Sequence, residues 1–185
     1  MNSHGGRRWA PLVVVGLLAA GGLGGLLLAG GGAVAVHHTN TTEFCTSCHV
    51  YDQFEADFRQ SAHWSNTAGV QVDCADCHIP DDNLASMLWT KASSGAQAFW
   101  AYYVQGIDTP AEFAQVRPGL QEQAHAWFKA RDSATCRSCH AVDSMQLDQQ
   151  SAAARASHQS LTAGGGGSTC VDCHADVPHG MAKSE

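Results

Sequence analysis

The sequence predicts a mainly α-helical protein with extensive loops, standing behind a single N-terminal transmembrane helix. Three observations lead there. No charged residue occurs from Ala10 to Val36, a run of 27 residues. The group Cys-x-x-Cys-His then occurs four times and uses all eight cysteines. Beyond Val36 the 185-residue chain leaves fewer than 40 residues for each group, too few for an ordinary apolar core around each.

At about 1.5 Å per residue, the uncharged run exceeds the roughly 30 Å hydrocarbon layer of a bilayer. Residues 10–36 are therefore the expected anchor, residues 1–9 a cytoplasmic flank, and residues 37–185 an outer domain. Arg7 and Arg8 precede the run, and none of the next 50 residues is Lys or Arg. By the positive-inside rule the N-terminus is cytoplasmic and the rest lies outside, in the bacterial periplasm. Trp9 suits the inner interface. Gly21 and Gly25 stand four apart, a spacing that lets two helices approach closely and offers a route to a homo-oligomer. A cleaved signal peptide is the competing reading, because Ala33-Val34-Ala35 resembles a cleavage site. A signal's apolar region, however, is only about 7–15 residues long.

The four groups are Cys45-Thr46-Ser47-Cys48-His49, Cys74-Ala75-Asp76-Cys77-His78, Cys136-Arg137-Ser138-Cys139-His140 and Cys170-Val171-Asp172-Cys173-His174. Two thiols three positions apart can add to the two vinyl groups of one haem, and the adjacent imidazole then reaches the iron. Structural zinc also uses Cys-x-x-Cys pairs, but nothing in zinc chemistry requires a His directly after each second Cys. Redox dithiols and disulfide frameworks leave the fifth residue equally unexplained. Four covalently bound haem c groups follow, making this a multihaem c-type cytochrome with His49, His78, His140 and His174 as proximal iron ligands. The haems themselves must then form the core.

Net charge is −7, and it falls to −9 once Arg7 and Arg8 are set aside. A basic patch for nucleic acid is absent. An acidic surface fits a domain steered by charge onto a complementary protein.

In chain order, Phe54, Phe58 and Ala62 recur at helical spacing after the first group, and His63 closes that segment. The second group begins 29 residues after the first, and the fourth 34 after the third. This predicts two di-haem units, at residues 45–78 and 136–174, each interval holding a helix that returns a distal ligand. Between them two helices are expected. One runs from about Asn83 to Val104, with Asp82 as N-cap and Leu84, Leu88, Trp89, Phe99, Trp100 and Tyr103 as its apolar side. The other opens on Thr109-Pro110-Ala111-Glu112, a capping box with proline at its first position. Pro118 is expected to interrupt it, with helix resuming through Lys129. Gly164 to Gly167 reads as a flexible loop.

A bis-histidine haem needs a second imidazole. Outside the four groups stand His4, on the cytoplasmic side, and His37, His38, His63, His125, His158 and His179. Methionine is the other common axial ligand, offered by Met87, Met145 and Met181.

Taken together, Glu43-Phe44-Cys45 through His49, Ser65-Asn66, Gly69-Val70, Asp76 through Pro80, Ile107-Asp108-Thr109, Lys129 through Ser133, Cys136 through His140, Ser144-Met145 and Cys170 through His174 resemble the NapC/NirT family. Members are membrane-anchored tetrahaem quinol dehydrogenases that feed periplasmic reductases of nitrate, nitrite and related compounds. The resemblance covers nearly the whole chain. It implies His63, His158 and His179 as distal ligands of the last three haems, in preference to His125. Two departures concern the first haem. Tyr51 stands where relatives often have a ligating Met, and Ala98 where some have an acid. His49 is left as proximal ligand of that haem, its sixth position unassigned: open, or filled by His37, His38 or a group not identified.

The expected function is transfer of electrons from the quinol pool, across four haems, to a periplasmic oxidoreductase. Quinol oxidation also needs a proton acceptor. Lys91 lies where relatives place a lysine at the quinol pocket and is the nominated group, ahead of Asp81 and Asp82. Trp89, Trp100, Tyr102 and Tyr103 would wall that pocket or anchor the helix at the interface. The rival readings are quinone reduction by the reverse flow, a soluble periplasmic shuttle, and a terminal reductase that binds substrate at an open first haem.

Overall fold

The uncharged run folds as one helix, α1 (Ala10–His38), with none of its residues buried. Its 29 residues span about 43 Å at 1.5 Å per residue, long and apolar enough to cross a bilayer. A Cβ placed on Gly21 or Gly25 would meet nothing within 4 Å, so that face of the helix is open. The computed structural model describes residues 10–162, 167–177 and 179–180. His4, Trp9, Met181 and most of the Gly164–Gly167 run lie outside the described residues.

Beyond α1 come α2 (Thr42–Cys45), α3 (Asp52–Arg59), α4 (Cys74–His78), α5 (Leu84–Tyr103), α6 (Pro110–Ala130), α7 (Ala134–Arg137), α8 (Ala152–Thr162) and α9 (Cys170–Cys173). Among the described residues there is no strand. α2, α4, α7 and α9 are single turns that carry or adjoin the cysteine groups. The long helices run between the two units, as expected.

Two expectations about the long helices need correction. Asn83, and not Asp82, caps α5, its side chain accepting from the Ser86 N–H at 2.8 Å. Pro118 does not break α6, which runs unbroken from Pro110 to Ala130. Proline forfeits one hydrogen bond to the carbonyl four residues back. Here that carbonyl belongs to exposed Ala114, where water can replace the lost donor. The capping box at the head of α6 is present, with Thr109 Oγ1 accepting from Glu112 N and Glu112 Oε2 accepting from Thr109 N.

The apolar side of α5 faces outward. Leu84, Leu88, Trp89, Phe99, Trp100 and Tyr103 are all exposed, Trp89 to 75%. The inner side of the helix is small and polar, with Thr90 its buried residue. Only five hydrophobic residues among those described are buried: Val50, Phe58, Ala75, Phe113 and Val171. That is far short of an ordinary core for a chain of this length.

Aromatic rings do much of the remaining joining. Phe113 of α6 meets Tyr51 and Phe54 edge-on, with centroids 5.4 and 5.5 Å away. Phe54 in turn meets His179 at 4.8 Å. Arg117 lies 4.7 Å over the Phe54 ring and donates to the Gly180 carbonyl at 2.7 Å. These contacts bind the chain's last described residues to α3 and α6. A second tie joins the first two cysteine groups: Asp73 Oδ1 accepts from Thr42 N and Thr42 Oγ1, at 2.9 and 2.7 Å. The backbone at Asp132 and Ser133 is left-handed, with φ of 49° and 50°. This turns the end of α6 directly into the third group.

Candidate haem sites

In the last three groups a helical turn puts the two cysteines and the histidine on one side, because positions i, i+3 and i+4 share a face, whereas in the first α2 ends at Cys45, Cys48 is extended and His49 opens a 3-10 turn. The bonds that close such turns are present, from His140 N to Cys136 O and from His174 N to Cys170 O, both 2.9 Å. At α4 a capping box helps: Asp76 Oδ2 accepts from Asp73 N at 2.8 Å while Asp73 reciprocates. At α9 Asp172 Oδ2 likewise accepts from Thr169 N, at 2.7 Å. Lys129 of α6 pairs with Asp172 and ties α9 to the long helix.

The four groups follow one another in space as they do in sequence. The Cys45 and Cys74 thiols share a hydrogen bond that pushes Cys45 well up and lowers Cys74 to about 7. Burial, then the proximity of Cys136, raises Cys77 to about 11. Cys136 is raised by burial and by its neighbour Cys170. So the first group adjoins the second, the second the third, and the third the fourth. The cysteines stay in pairs: among the described residues no three His, Cys, Asp or Glu side chains converge as they would on a bare metal ion.

The histidines decide how well these sites fit a haem. With metal–imidazole bonds of about 2.0 Å on each side, two imidazoles across one iron have centroids roughly 6 Å apart. His63 and His140 stand 6.0 Å apart, with planes at 77°. His78 and His179 stand 6.0 Å apart and nearly parallel, and His158 and His174 are 6.1 Å apart at 12°. Burial lowers the pKa of His63 and of His179, which favours the neutral, ligating form of each ring. Nδ1 of His63 is buried with no hydrogen-bond partner. Gln150 Oε1 receives His158 Nδ1 at 2.6 Å. An amide oxygen only accepts, so Nδ1 carries the proton and Nε2 keeps its lone pair.

The pairs cross between the two units. His63, from the first interval, faces the third group, and His179, beyond the fourth group, faces the second. Only His158 stays within its own unit. Sequence spacing offered no sign of this exchange, because it depends on how α6 brings the two units together.

The first group differs. The ring packed against His49 is Tyr102 of α5, at 6.4 Å and 84°. His38 packs on Phe44 instead, at 5.8 Å. His125 leans towards the Ala175 carbonyl, 3.4 Å from its Nε2. Lys91 Nζ donates to the carbonyl of Thr39, the first residue beyond α1, at 2.9 Å. Burial lowers the Lys91 pKa, and the nearby Cys45 thiolate opposes the shift. Asp81 and Asp82 line a separate pocket with Pro80, Arg131, Ala134 and Thr135, beside the third group. Tyr51 is half-buried, and burial raises its pKa.

Cysteine pairs, each with its histidine alongside, define a multihaem c-type cytochrome. A family model described as the NapC/NirT cytochrome c family, N-terminal region, matches residues 8–184. The chain belongs to that family. It is 38% identical over 169 residues to a putative tetraheme cytochrome-c type of Allochromatium vinosum, covering 91% of this chain and 88% of that one. It is 36% identical over 172 residues to the cytochrome c-type protein TorC of Escherichia coli K12, covering 93% of this chain and 43% of TorC. The denitrification system component NirT of Stutzerimonas stutzeri is 34% identical over 150 residues, with 80% and 73% covered. The chain thus spans about two fifths of TorC's length. No solved structure shows a significant match.

Proposed function

We propose that the chain is an inner-membrane quinol dehydrogenase. Electrons enter at the first haem and leave, through four covalent haems, to a periplasmic reductase of nitrate, nitrite or a related compound. The observation that carries this reading is the Lys91 bond to Thr39. It fixes α5, and with it the first cysteine group, at the end of the apolar helix. The exposed Trp, Phe and Tyr side chains of α5 suit that level, since amphipathic rings favour the membrane interface. By the positive-inside rule, Arg7 and Arg8 favour a cytoplasmic N-terminus and a periplasmic haem domain.

Bound haem supplies one-electron storage at potentials set by its ligands and burial. Cys45, Cys48, Cys74, Cys77, Cys136, Cys139, Cys170 and Cys173 hold the four groups. His63 serves opposite His140, His179 opposite His78, and His158 opposite His174. A core of four porphyrins also accounts for how few side chains the polypeptide buries by itself.

Quinol oxidation to quinone releases two protons with two electrons, so a base must stand beside the entry point. Burial already eases Lys91 towards its neutral form. Once Cys45 is a thioether it can carry no charge to oppose that shift, leaving Nζ better able to take a proton from the quinol hydroxyl. Because the acceptor must be unprotonated, quinol-driven reduction should speed up as pH rises through the Lys91 pKa. Lys91→Met should lose that rising limb and slow reduction by about 10²-fold, a usual contribution of a positioned base.

The direct test mixes detergent-solubilised holoprotein with a menaquinol or ubiquinol analogue and follows the haem α band. Full or partial reduction is expected. If no haem is reduced while dithionite reduces all four, the reading fails. Midpoint potentials that rise from the first haem towards the last would fix the direction of flow.

A further inference from the structure

Tyr102 occupies, at the first group, the place that a second imidazole occupies at the other three. Its ring lies 6.4 Å from His49, against 6.0, 6.0 and 6.1 Å for the histidine pairs. That separation is informative about bonding. A phenolate joined to iron through its oxygen, with a metal–oxygen bond of about 2.0 Å and the usual bend at that oxygen, would hold its ring centroid roughly 7 Å from the opposite imidazole. At 6.4 Å the ring is too close for end-on ligation. The 84° between the planes fits a flat cover, because an axial imidazole stands upright on its haem and a ring perpendicular to it can lie along the porphyrin.

The helix supports this placement from its other end. Lys91 and Tyr102 are eleven positions apart, three turns of α5, and so lie on one face. Lys91 reaches the neighbourhood of Cys45 while Tyr102 reaches His49, so the helix runs alongside the whole first group. Between them on that face stand only Gly95 and Ala98, too small to reach across. Tyr102 is itself half-buried and braced edge-on by Tyr103 at 4.8 Å.

We propose that Tyr102 closes the side of the first haem opposite His49 without bonding to its iron. It is a positioning residue: it bars other side chains from the sixth site, slows small ligands on their way to it and leaves that iron five-coordinate. This rests on the reading of Cys45, Cys48 and His49 as a haem site, which a count of four covalent haems per chain checks separately.

The test is spectroscopic and uses no quinol. In the ferric holoprotein, electron paramagnetic resonance should show one haem in four as high-spin. Tyr102→Phe should leave spin state and carbon monoxide binding to the ferrous protein unchanged, since the ring remains. Tyr102→Ala should keep the high-spin signal and bind carbon monoxide several-fold faster, and Tyr102→Leu serves if the alanine variant fails to load haem. Three results would overturn the proposal: four low-spin haems in the parent protein, a changed spin state in Tyr102→Phe, or unchanged carbon monoxide kinetics on removing the ring. A four-haem protein with the predicted spectra but no reduction by quinol would sink the proposed function and leave Tyr102 in place. Three haems, with none at Cys45 and Cys48, would sink both.

Discussion

The second cysteine group fills a single helical turn, whereas the first starts on the last residue of α2 and runs through an extended Cys48, and their surroundings have little in common. His78 of the second group faces His179 and lies 5.8 Å from Phe128 of α6. His179 is itself anchored by Phe54 and by the Arg117 bond to Gly180. The second site is therefore a junction of α3, α4, α6 and the end of the described chain. His49 of the first group faces a phenol on α5, at the edge of the domain and next to the end of the apolar helix. Two imidazoles on one iron saturate it and suit rapid, reversible electron passage. One imidazole under a non-ligating ring would leave an iron with a covered but unbonded sixth position, at the point where a lipid-soluble donor would arrive.

The sharpest way to break this comparison is to delete each attachment in turn. Cys74→Ala with Cys77→Ala removes the junction, and we expect almost no folded holoprotein, read as haem content and protease resistance. Cys45→Ala with Cys48→Ala should leave a stable three-haem domain that quinol no longer reduces. Equal losses from the two deletions would show that the first site is as structural as the second.

A milder change acts on ligands alone. His179→Ala should convert the second haem to an open site, so that about half of the four haems, counted with the first, bind carbon monoxide. His179→Met should keep the site six-coordinate and raise its midpoint potential, because thioether ligation favours the reduced iron. A potential unmoved by either variant would mean that His179 is not the partner of His78.

The contrast between the sites also marks where sequence reasoning reached its limit. The cysteine groups, the apolar anchor and the capping box at Thr109 were legible because each is a local signal with a fixed spacing. Family resemblance offers His63, His158 and His179 as distal candidates, and each stands about 6 Å from the histidine of a cysteine group. Which of them meets which group was not legible, since His63 crosses to His140 over a separation set by the packing of α4 on α7. Tyr102 stood out only as one of four aromatics expected to wall the quinol pocket or anchor α5, not as the ring over His49. One tyrosine in a helix rich in aromatics looks like any other until the fold brings His49 beneath it. The outward aromatic side of α5 misleads in the same way, because periodicity finds an apolar face but does not say whether a core or a bilayer will cover it.

Asp73 sharpens the comparison from the side of stability. Its carboxylate accepts from both Thr42 N and Thr42 Oγ1 and caps α4, so it holds the first group to the second. Asp73→Ala should cost about 2 kcal/mol in denaturant unfolding of the holoprotein, the scale of a lost charge-assisted bond. The high-spin signal of the first haem should broaden while the low-spin signals keep their positions. A uniform change at all four haems would argue against a tie specific to the first pair.

The smallest expected effect concerns the fourth group. Gln150 Oε1 holds His158 Nδ1 at 2.6 Å, whereas His63 has no such partner at its own Nδ1. A hydrogen bond at Nδ1 fixes the ring and makes Nε2 a stronger donor, which favours ferric iron and lowers the potential. Gln150→Ala should therefore raise the midpoint potential of the fourth haem slightly, by less than the ligand exchange at His179, with spin state unchanged. Spectra resolved by potential would read this as a shift of one component out of four. If the shifted component were instead the third haem, the pairing of His158 with His174 would be wrong, and the path of electrons out of the protein would need redrawing.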